Sequence, residues 1–364
     1  MARRRDKRGC CRRCLYPAAA PGADLDNDGV CAYCRTYVPE DERANAATLA
    51  TRSADLESAL RSCRGQAEYD ALVCLSGGKD SLYLLHRLKV DYGLNVLAFT
   101  TDINIPAIAW SNMRRALAQL DIDHLVYRPS AAFYRKLFRY LLTHQEQRGA
   151  VYTVSYVYAP LFESDALRVA TARGIPLVLA GYSPGQPEAE RMEYEFSRRL
   201  ICATDWTPPG LVSCGEFSAP ELARFWNPQR YPAGTEFPRY LAPLHAWDYD
   251  QEQMMHKVHA LGLVARPSHA NPINSNYPIN WLLMYSDLRN LGYNPYAPEF
   301  AALIRCGKAS LRYWRWMAPL VDFLIRHKLL AGRQSAQQMR WLDLHDSDLR
   351  LTQPRGCYDP PLSS

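Results

Sequence analysis

The sequence lacks three features that would assign it to a simple functional class. It contains no run of eighteen apolar residues, so it predicts no membrane-spanning helix. No apolar segment follows the basic N-terminus, MARRRDKRGCCRRC, which therefore differs from a secretory signal. The net charge of +6 is confined to residues 1–13, which hold seven Arg or Lys residues and one Asp, so the remainder is neutral overall. These absences exclude a broadly basic nucleic-acid-binding face and favour a cytoplasmic protein. Its short basic arm is expected to be a disordered tail, or else to contact phosphates.

The eleven cysteines do not indicate a disulfide framework, because no export signal precedes them. Four of them form two Cys-x2-Cys pairs, separated by sixteen residues, in the segment CRRCLYPAAAPGADLDNDGVCAYC. Four thiolates at this spacing are typical of a closed, structural zinc site. Uncoordinated or redox-active thiols are the alternative, and Cys10 is a poorer substitute for Cys11. The predicted metal ligands are Cys11, Cys14, Cys31 and Cys34.

The pattern of apolar residues predicts five segments. Residues 1–45 hold the basic tail and the cysteine module, and a polar linking helix is predicted over residues 46–68. Residues 69–182 alternate apolar strands with amphipathic helices, which is typical of a parallel sheet covered on both faces. Residues 183–350 combine proline-rich loops with helices that would supply substrate contacts, and residues 351–364 are expected to be a loose tail. The predicted fold class is α/β, with a zinc-ribbon-like module before the parallel sheet and a helical C-terminal part after it.

The stretch ALVCLSGGKDSLYLLHRL, residues 71–88, places a glycine-rich loop between a buried strand and a helix. The glycines allow backbone N–H groups to approach a ligand, and the start of the helix adds unsatisfied N–H donors and the positive end of its dipole. The lysine adds a full charge. This combination suits a phosphate chain, although the spacing of the Walker A motif is absent. The predicted phosphate-binding residues are Ser76, Gly77, Gly78, Lys79, Asp80 and Ser81.

This loop resembles the SGGxDS loop of the PP-loop ATP pyrophosphatase superfamily, whose Rossmann-like (HUP-like) domain grips the pyrophosphate part of ATP and transfers AMP to a substrate oxygen. The resemblance implies that Lys79 stabilises charge on the phosphates and that Mg²⁺ bridges them, with Asp80 either holding that ion or capping the helix. It also implies that Asp102 contacts adenosine, unless it is a surface turn carboxylate. Gly181 would lie against the nucleotide, or would simply end a strand.

The cysteine module and the loop together resemble the N-acetyl sugar amidotransferase family. Further segments of that kind are IPLVLAGYSPGQPE and LGYNPYAPEFAALIRCGKASLRYW, so the resemblance covers residues 10–315. It implies conversion of an acetamido group on a sugar into an acetamidino group, in surface polysaccharide biosynthesis, by adenylation and attack of ammonia. No glutaminase segment is recognisable, so a separate glutaminase subunit or free ammonia is expected. Arg305 and Arg312 are expected either to meet phosphate or to be ordinary surface residues.

Two other functions remain open from the sequence. PP-loop sulfurtransferases, which thiolate a tRNA or a small metabolite, share the ATP site but need a cysteine pair. The segment VYTVSYVYAP contains no cysteine, Tyr277 stands where several relatives have one, and Cys202 with Cys214 is the remaining pair. A non-catalytic scaffold, binding nucleotide or docking RNA through the metal module and basic arm, is the third hypothesis. Nucleic acid is therefore an open but disfavoured partner.

Overall fold

The computed structural model describes residues 9–37, 41–184, 192–270 and 277–359. The strands of this part are β1 (Ala71–Cys74), β2 (Val96–Thr101), β3 (His124–Tyr127), β4 (Gln145–Glu146), β5 (Leu177–Ala180), β6 (Arg239–Leu241) and β7 (Leu351–Gln353). The α-helices are α1 (Ala32–Arg35), α2 (Asp41–Ser62), α3 (Lys79–His86), α4 (Ala107–Leu120), α5 (Ala131–Thr143), α6 (Ala150–Ala172), α7 (Arg198–Ala203), α8 (Pro209–Ser213), α9 (Ala219–Leu222), α10 (Gln251–Ala260), α11 (Ile279–Asn290), α12 (Ala297–Arg305), α13 (Leu311–Arg326) and α14 (Arg333–Leu342). None of these helices is long and apolar enough to cross a bilayer.

The main sheet has five parallel strands in the order β3-β2-β1-β5-β6. Leu72 in the central strand pairs with Leu97 on one side and with Val178 on the other. All residues of β2 and β5 are buried, because helices cover both faces of a parallel sheet and leave no polar side. The predicted α/β fold with a parallel sheet is therefore confirmed.

Each face of the sheet has its own apolar core. On one face α2, α3, α4 and α10 contribute side chains such as Leu56, Leu82 and Met113. On the other face the C-terminal half of α6 packs with residues that follow β5, including Phe196 and Trp206. A third core joins α5 and the N-terminal half of α6 to α11, α13 and α14. Helix α6 thus belongs to both the sheet and the helical C-terminal core.

Three elements differ from the sequence prediction. The spacing of apolar residues predicts a helix from Tyr158, but α6 begins eight residues earlier, at Ala150, and contains most of the segment VYTVSYVYAP before that position. Its residues are nearly all buried, so the helical period of polar residues that marks a surface helix is missing. Strand β6 lies in the proline-rich segment. It has only three residues, which is too short for an alternating strand pattern to be visible in the sequence. The helix after the loop begins at Lys79, whereas the sequence placed its start near Ser81.

The predicted loose tail is wrong for residues 351–359. Strand β7 pairs with β4, and the Tyr358 side chain is almost completely buried. The backbone N–H of Tyr358 donates to Glu146 Oε1 at 2.9 Å, and its hydroxyl donates to the His144 carbonyl at 3.0 Å. A lone buried tyrosine near a chain end has no period to reveal it. Residues 360–364, and residues 1–8 of the basic arm, lie outside the described residues.

Candidate functional site

The loop after β1 is fixed by close contact with α4. Gly77 has φ of +76°, and a Cβ atom at this position would lie 2.5 Å from the carbonyl oxygen of Ala109. Asn112 donates from Nδ2 to the Gly77 carbonyl at 3.1 Å. Only glycine combines this dihedral with such an approach, so the loop and the neighbouring helix hold each other in place.

The two serines of the loop hydrogen-bond to the loop itself. Ser81 Oγ lies 3.2 Å from Ser76 Oγ, donates to the Gly78 carbonyl at 3.1 Å, and accepts the Ser76 backbone N–H at 3.3 Å. Gly181, just after β5, packs against this turn, because a Cβ atom there would lie 2.9 Å from the Ser81 nitrogen. The serines therefore stabilise the loop, and the start of α3, which follows β1, packs closely against the end of β5.

Lys79 and Asp80 form a buried ion pair at the start of α3. Lys79 Nζ lies 2.6 Å from Asp80 Oδ2, and the side chain of Lys79 is only 8% exposed. The hydroxyl of Tyr249 donates to Asp80 Oδ1 at 3.2 Å. Burial lowers the pKa of Lys79, but Asp80 and Tyr249 together outweigh burial and the net pKa is raised, so the lysine is a cation at neutral pH. The N-cap residue of α3 is Gly78 and not Asp80. The Asp80 carboxylate is instead engaged with Lys79 and Tyr249.

A cavity of about 430 Å³ opens beside this pair. One end is lined by the loop and by Gly181, and the other by side chains from α6, α11, α12 and α13. The second end is largely aromatic. Its rings belong to Tyr158, Phe162, Tyr277, Trp281, Tyr296, Phe300 and Trp314. The cavity thus brings the Lys79–Asp80 pair and the helix start together with an aromatic lining, in a volume typical of small-molecule sites.

Asp102 lies just outside the residues that line this cavity, whereas its neighbour Thr101 is among them. The Asp102 carboxylate is buried and paired with Arg128 at 2.5 Å, and it accepts the backbone N–H of Ile105 at 3.1 Å. These contacts fasten the loop after β2 to the loop after β3. The implied contact of Asp102 with adenosine stays a prediction.

The structure adds two carboxyl groups that the sequence analysis did not single out. Glu299 on α12 and Asp322 on α13 both line the cavity. Burial raises the pKa of Glu299 to about 8, and Asp80 adds to this effect while Lys79 opposes it. Among the described residues no hydrogen-bond donor reaches the Glu299 carboxyl, whereas Asp322 accepts from Asn294 Nδ2 at 2.8 Å. In the sequence Glu299 looked like an ordinary acid in the first turn of a helix, so no signal marked it.

The four predicted metal ligands come together as a cluster in which all Sγ atoms lie within 4.8 Å of one another. Cys11 Sγ lies 3.9 Å from Cys34 Sγ, and Cys14 Sγ lies 3.6 Å from Cys31 Sγ. Sulfur atoms about 2.3 Å from a tetrahedral ion are about 3.8 Å apart, so this cluster can hold a single metal ion. Cys10 stands outside it.

The metal module rests on the helices that form the far wall of the cavity. Its core includes Ala301 and Ile304 of α12 and Trp314 of α13. Arg305 donates from Nη1 to Cys14 Sγ at 3.4 Å. The sequence had left open whether Arg305 contacts phosphate or is an ordinary surface residue, and in the structure it contacts the cysteine cluster. The module therefore supports the wall that carries Glu299 and Trp314.

The cysteines considered for sulfur chemistry are not in the cavity. Cys202 is exposed, Cys214 donates to the Leu211 carbonyl at 3.3 Å, and neither lines the chamber. Tyr277 does line it, stacked on Phe162 with 5.4 Å between ring centroids. Among the described lining residues the cysteine is Cys74, at the end of β1, and burial raises the pKa of its thiol to about 12.

No family model matches the sequence, and no curated protein matches it. Among solved structures the chain is similar to the U34-tRNA thiolase NcsA of Methanococcus maripaludis with its 4Fe-4S cluster, at 13% identity and a TM-score of 0.35, covering 92% of this chain and 89% of that chain. It is also similar to the NMN synthetase of Francisella tularensis, at 11% identity and a TM-score of 0.34, covering 86% and 97%. A third is the NH3-dependent NAD synthetase of Campylobacter jejuni subsp. jejuni NCTC 11168 in complex with the nitrate ion, at 11% identity and a TM-score of 0.33, covering 82% and 95%. Similarity this low leaves the function to be argued from the site.

Proposed function

We propose that the protein is a PP-loop enzyme that binds ATP, transfers AMP to a carbonyl-type oxygen of an acceptor and releases pyrophosphate. The observation that carries this proposal is the buried Lys79 cation at the start of α3, at the loop end of a two-part cavity. The first N–H groups of a helix have no intrahelical partner and attract anionic oxygen. Lys79 is paired with Asp80 in this structure, and a phosphate oxygen would compete with the Asp80 carboxylate for the lysine ammonium group.

Asp80 is the residue that fits a magnesium ion at this end. Its carboxylate lies at the loop, and oxygen atoms are the ligands that Mg²⁺ prefers. The ion would neutralise charge on the phosphates while AMP is transferred. Lys79 would stabilise the leaving pyrophosphate, and the absence of a side chain at Gly181 allows the start of α3 to approach the end of β5.

The far end of the cavity supports an N-acetyl sugar conjugate as the acceptor. Aromatic side chains that line the cavity, such as Tyr158 and Trp281, suit the apolar side of a sugar ring. The carboxyl groups of Glu299 and Asp322 can accept hydrogen bonds from hydroxyl groups. In this proposal the adenylated oxygen is that of the acetamido group, and ammonia from a separate glutaminase subunit replaces it while AMP leaves. The product would be an acetamidino sugar for surface polysaccharide biosynthesis.

The metal module is proposed to hold one zinc ion in a structural role. Its four sulfur atoms are close enough for a single tetrahedral ion, whereas a cluster of four iron atoms would hold its cysteine sulfurs further apart.

Sulfur insertion is the second candidate, and Cys74 is the observation that would favour it. This thiol lines the cavity beside the loop and lies 3.5 Å from the Tyr240 hydroxyl. Its raised pKa keeps it protonated, which makes it a poor sulfur nucleophile. Nitrogen insertion is therefore preferred, and the third candidate, a scaffold without turnover, is tested by the same experiment.

The test is acceptor-dependent release of pyrophosphate. The full chain is incubated with ATP, Mg²⁺ and UDP-N-acetylglucosamine or a panel of other acetamido compounds, with ammonium or sulfide as the second substrate. We expect AMP and pyrophosphate in equal amounts only with an acceptor, and a product in which NH has replaced oxygen. A product containing sulfur would favour the second candidate. Binding of ATP without pyrophosphate release across the panel would favour a scaffold.

Substitution of Glu299 by Gln is expected to change how stability depends on pH. Because burial raises the pKa of this carboxyl to about 8, the folded state favours its protonated form, and its contribution to stability is lost as the pH rises through 8. The variant should therefore gain stability relative to the wild type between about pH 5 and pH 9, by on the order of 2 kcal/mol. Thermal unfolding of the ATP-free protein measures this difference. Glu252→Gln, at an exposed position on α10, is the control, and an equal pH response in both variants would contradict the prediction.

A further inference from the structure

The outer face of α13 is an uncovered apolar surface. Tyr313, Trp316, Leu320 and Phe323 recur at intervals of three and four residues, so they lie on one side of the helix. Trp316 is 77% exposed and Phe323 is 52% exposed. The opposite side of the same helix lines the cavity through Trp314 and Val321. The helix thus has two apolar sides, and only the inner one is packed.

Two further apolar side chains extend this surface beyond the helix. Leu329 and Leu330 follow α13 directly and are both exposed, Leu330 by 70%. We call the side chains at positions 313, 316, 320, 323, 329 and 330 the α13 face. Large apolar side chains that are exposed to water in one contiguous patch indicate an interaction surface.

The exposed charged residues on α13 itself are all basic. Exposed arginines stand along its edge, and the acidic residue of the helix, Asp322, lines the cavity on the other side. The edge arginines are Arg312, Arg315 and Arg326. Arg315 also donates to the Arg12 carbonyl at 3.2 Å, so the basic N-terminal segment enters the described part of the chain beside this helix. Of the seven basic side chains in residues 1–13, Arg12 and Arg13 belong to the described part of the chain, and both are exposed.

We propose that the α13 face docks this protein on an anionic membrane surface. Tryptophan, tyrosine and phenylalanine with neighbouring arginines suit the boundary between lipid headgroups and acyl chains. The edge arginines, together with the exposed Arg12 and Arg13, add attraction to anionic lipid, each by a modest amount. The proposal does not depend on the reaction proposed above.

A second copy of the chain fits this face less well. Packing two α13 faces against each other would bring arginines together without carboxylates on the face to pair them. Like charges at an interface oppose association, whereas an anionic membrane has the complementary sign. Because the inner side of α13 forms the cavity wall, docking would also bring the cavity close to the headgroups.

Flotation with lipid vesicles tests the proposal. The full chain is mixed at low salt with vesicles of phosphatidylcholine containing roughly a quarter phosphatidylglycerol, and in parallel with pure phosphatidylcholine. We expect flotation with the anionic vesicles only, weakened by salt. The double variant Trp316→Ser, Phe323→Ser should bind the anionic vesicles at least about tenfold more weakly than the wild type. Val212→Ser, at a 55% exposed apolar position on α8, is the matched control and should bind like the wild type.

A second measurement detects membrane contact in the wild type itself and uses a conservative variant that keeps an aromatic ring. Brominated acyl chains quench tryptophan that enters the membrane boundary, and the wild type should be quenched while Trp316→Phe should lose most of that quenching. Wild-type protein that stays in solution with anionic vesicles at low salt would overturn the proposal. A dimer seen by light scattering, and dissociated by the double variant, would overturn it in favour of a second copy. Equal binding by the wild type and a well-folded double variant would also overturn it.

Discussion

Replacement of Lys79 by Ala is expected to reduce acceptor-dependent pyrophosphate release by at least about a hundredfold. Lys79 is the buried cation of the loop, and its Nζ atom lies 2.6 Å from Asp80. Its charge would be most useful where negative charge builds on the leaving pyrophosphate, so its removal raises the barrier to AMP transfer. The fold should remain, because Asp80 keeps its hydrogen bond from Tyr249.

The measurement combines pyrophosphate release with thermal unfolding. Lys79→Met keeps the length of the side chain without its charge and should fail in the same way, which separates loss of charge from loss of volume. Lys257→Ala, an exposed lysine on α10, should release pyrophosphate like the wild type. Unchanged release in Lys79→Ala would show that the loop does not hold the phosphates in the proposed manner.

Substitution of Cys11 by Ser is expected to remove the bound metal and unfold the N-terminal module. The four sulfur atoms supply the core of this small unit, and a structural zinc site contributes on the order of 10 kcal/mol of apparent binding energy to folding. The loss should reach the cavity, because the module packs on α12 and α13. We therefore expect weaker acceptor use together with a lower unfolding temperature.

The neighbouring cysteine provides a matched control for this experiment. Cys10 is adjacent in the chain but stands outside the sulfur cluster, so Cys10→Ser should keep the metal. Elemental analysis should find about one zinc per chain in the wild type and in Cys10→Ser, and none in Cys11→Ser. Iron in place of zinc, or equal metal in both variants, would contradict the assignment.

The sequence was most informative where the relevant residues are neighbours in the chain. Phosphate-binding loops are built from backbone N–H groups of consecutive residues, so the run from Ser76 to Ser81 could be recognised before any folding was considered. The cysteine pairs are local in the same way, and the structure brings all four sulfurs together. The alternation of strands and helices predicted a parallel sheet, because buried strands and amphipathic helices have different periods.

The sequence was less informative where burial removes the period or where the partner is distant. Helix α6 begins earlier than predicted, since its N-terminal half is enclosed on all sides and shows no polar stripe. Tyr358 packs against β4 and α5 from the far end of the chain, which no local pattern could indicate. The ion pair between Asp102 and Arg128 joins two loops that follow different strands, so the sequence alone did not indicate it.

By itself, then, the sequence determined the α/β fold class, the place of the glycine-rich loop between a strand and a helix, and the four clustered cysteines. Only the tertiary structure decided what faces that loop: Glu299 and Asp322 in the cavity wall, the metal module behind them, and the uncovered outer side of α13. The reason is physical. A loop or a metal knuckle is specified by the dihedrals and spacing of adjacent residues, whereas a cavity wall exists only once helices that are far apart in the chain have packed together.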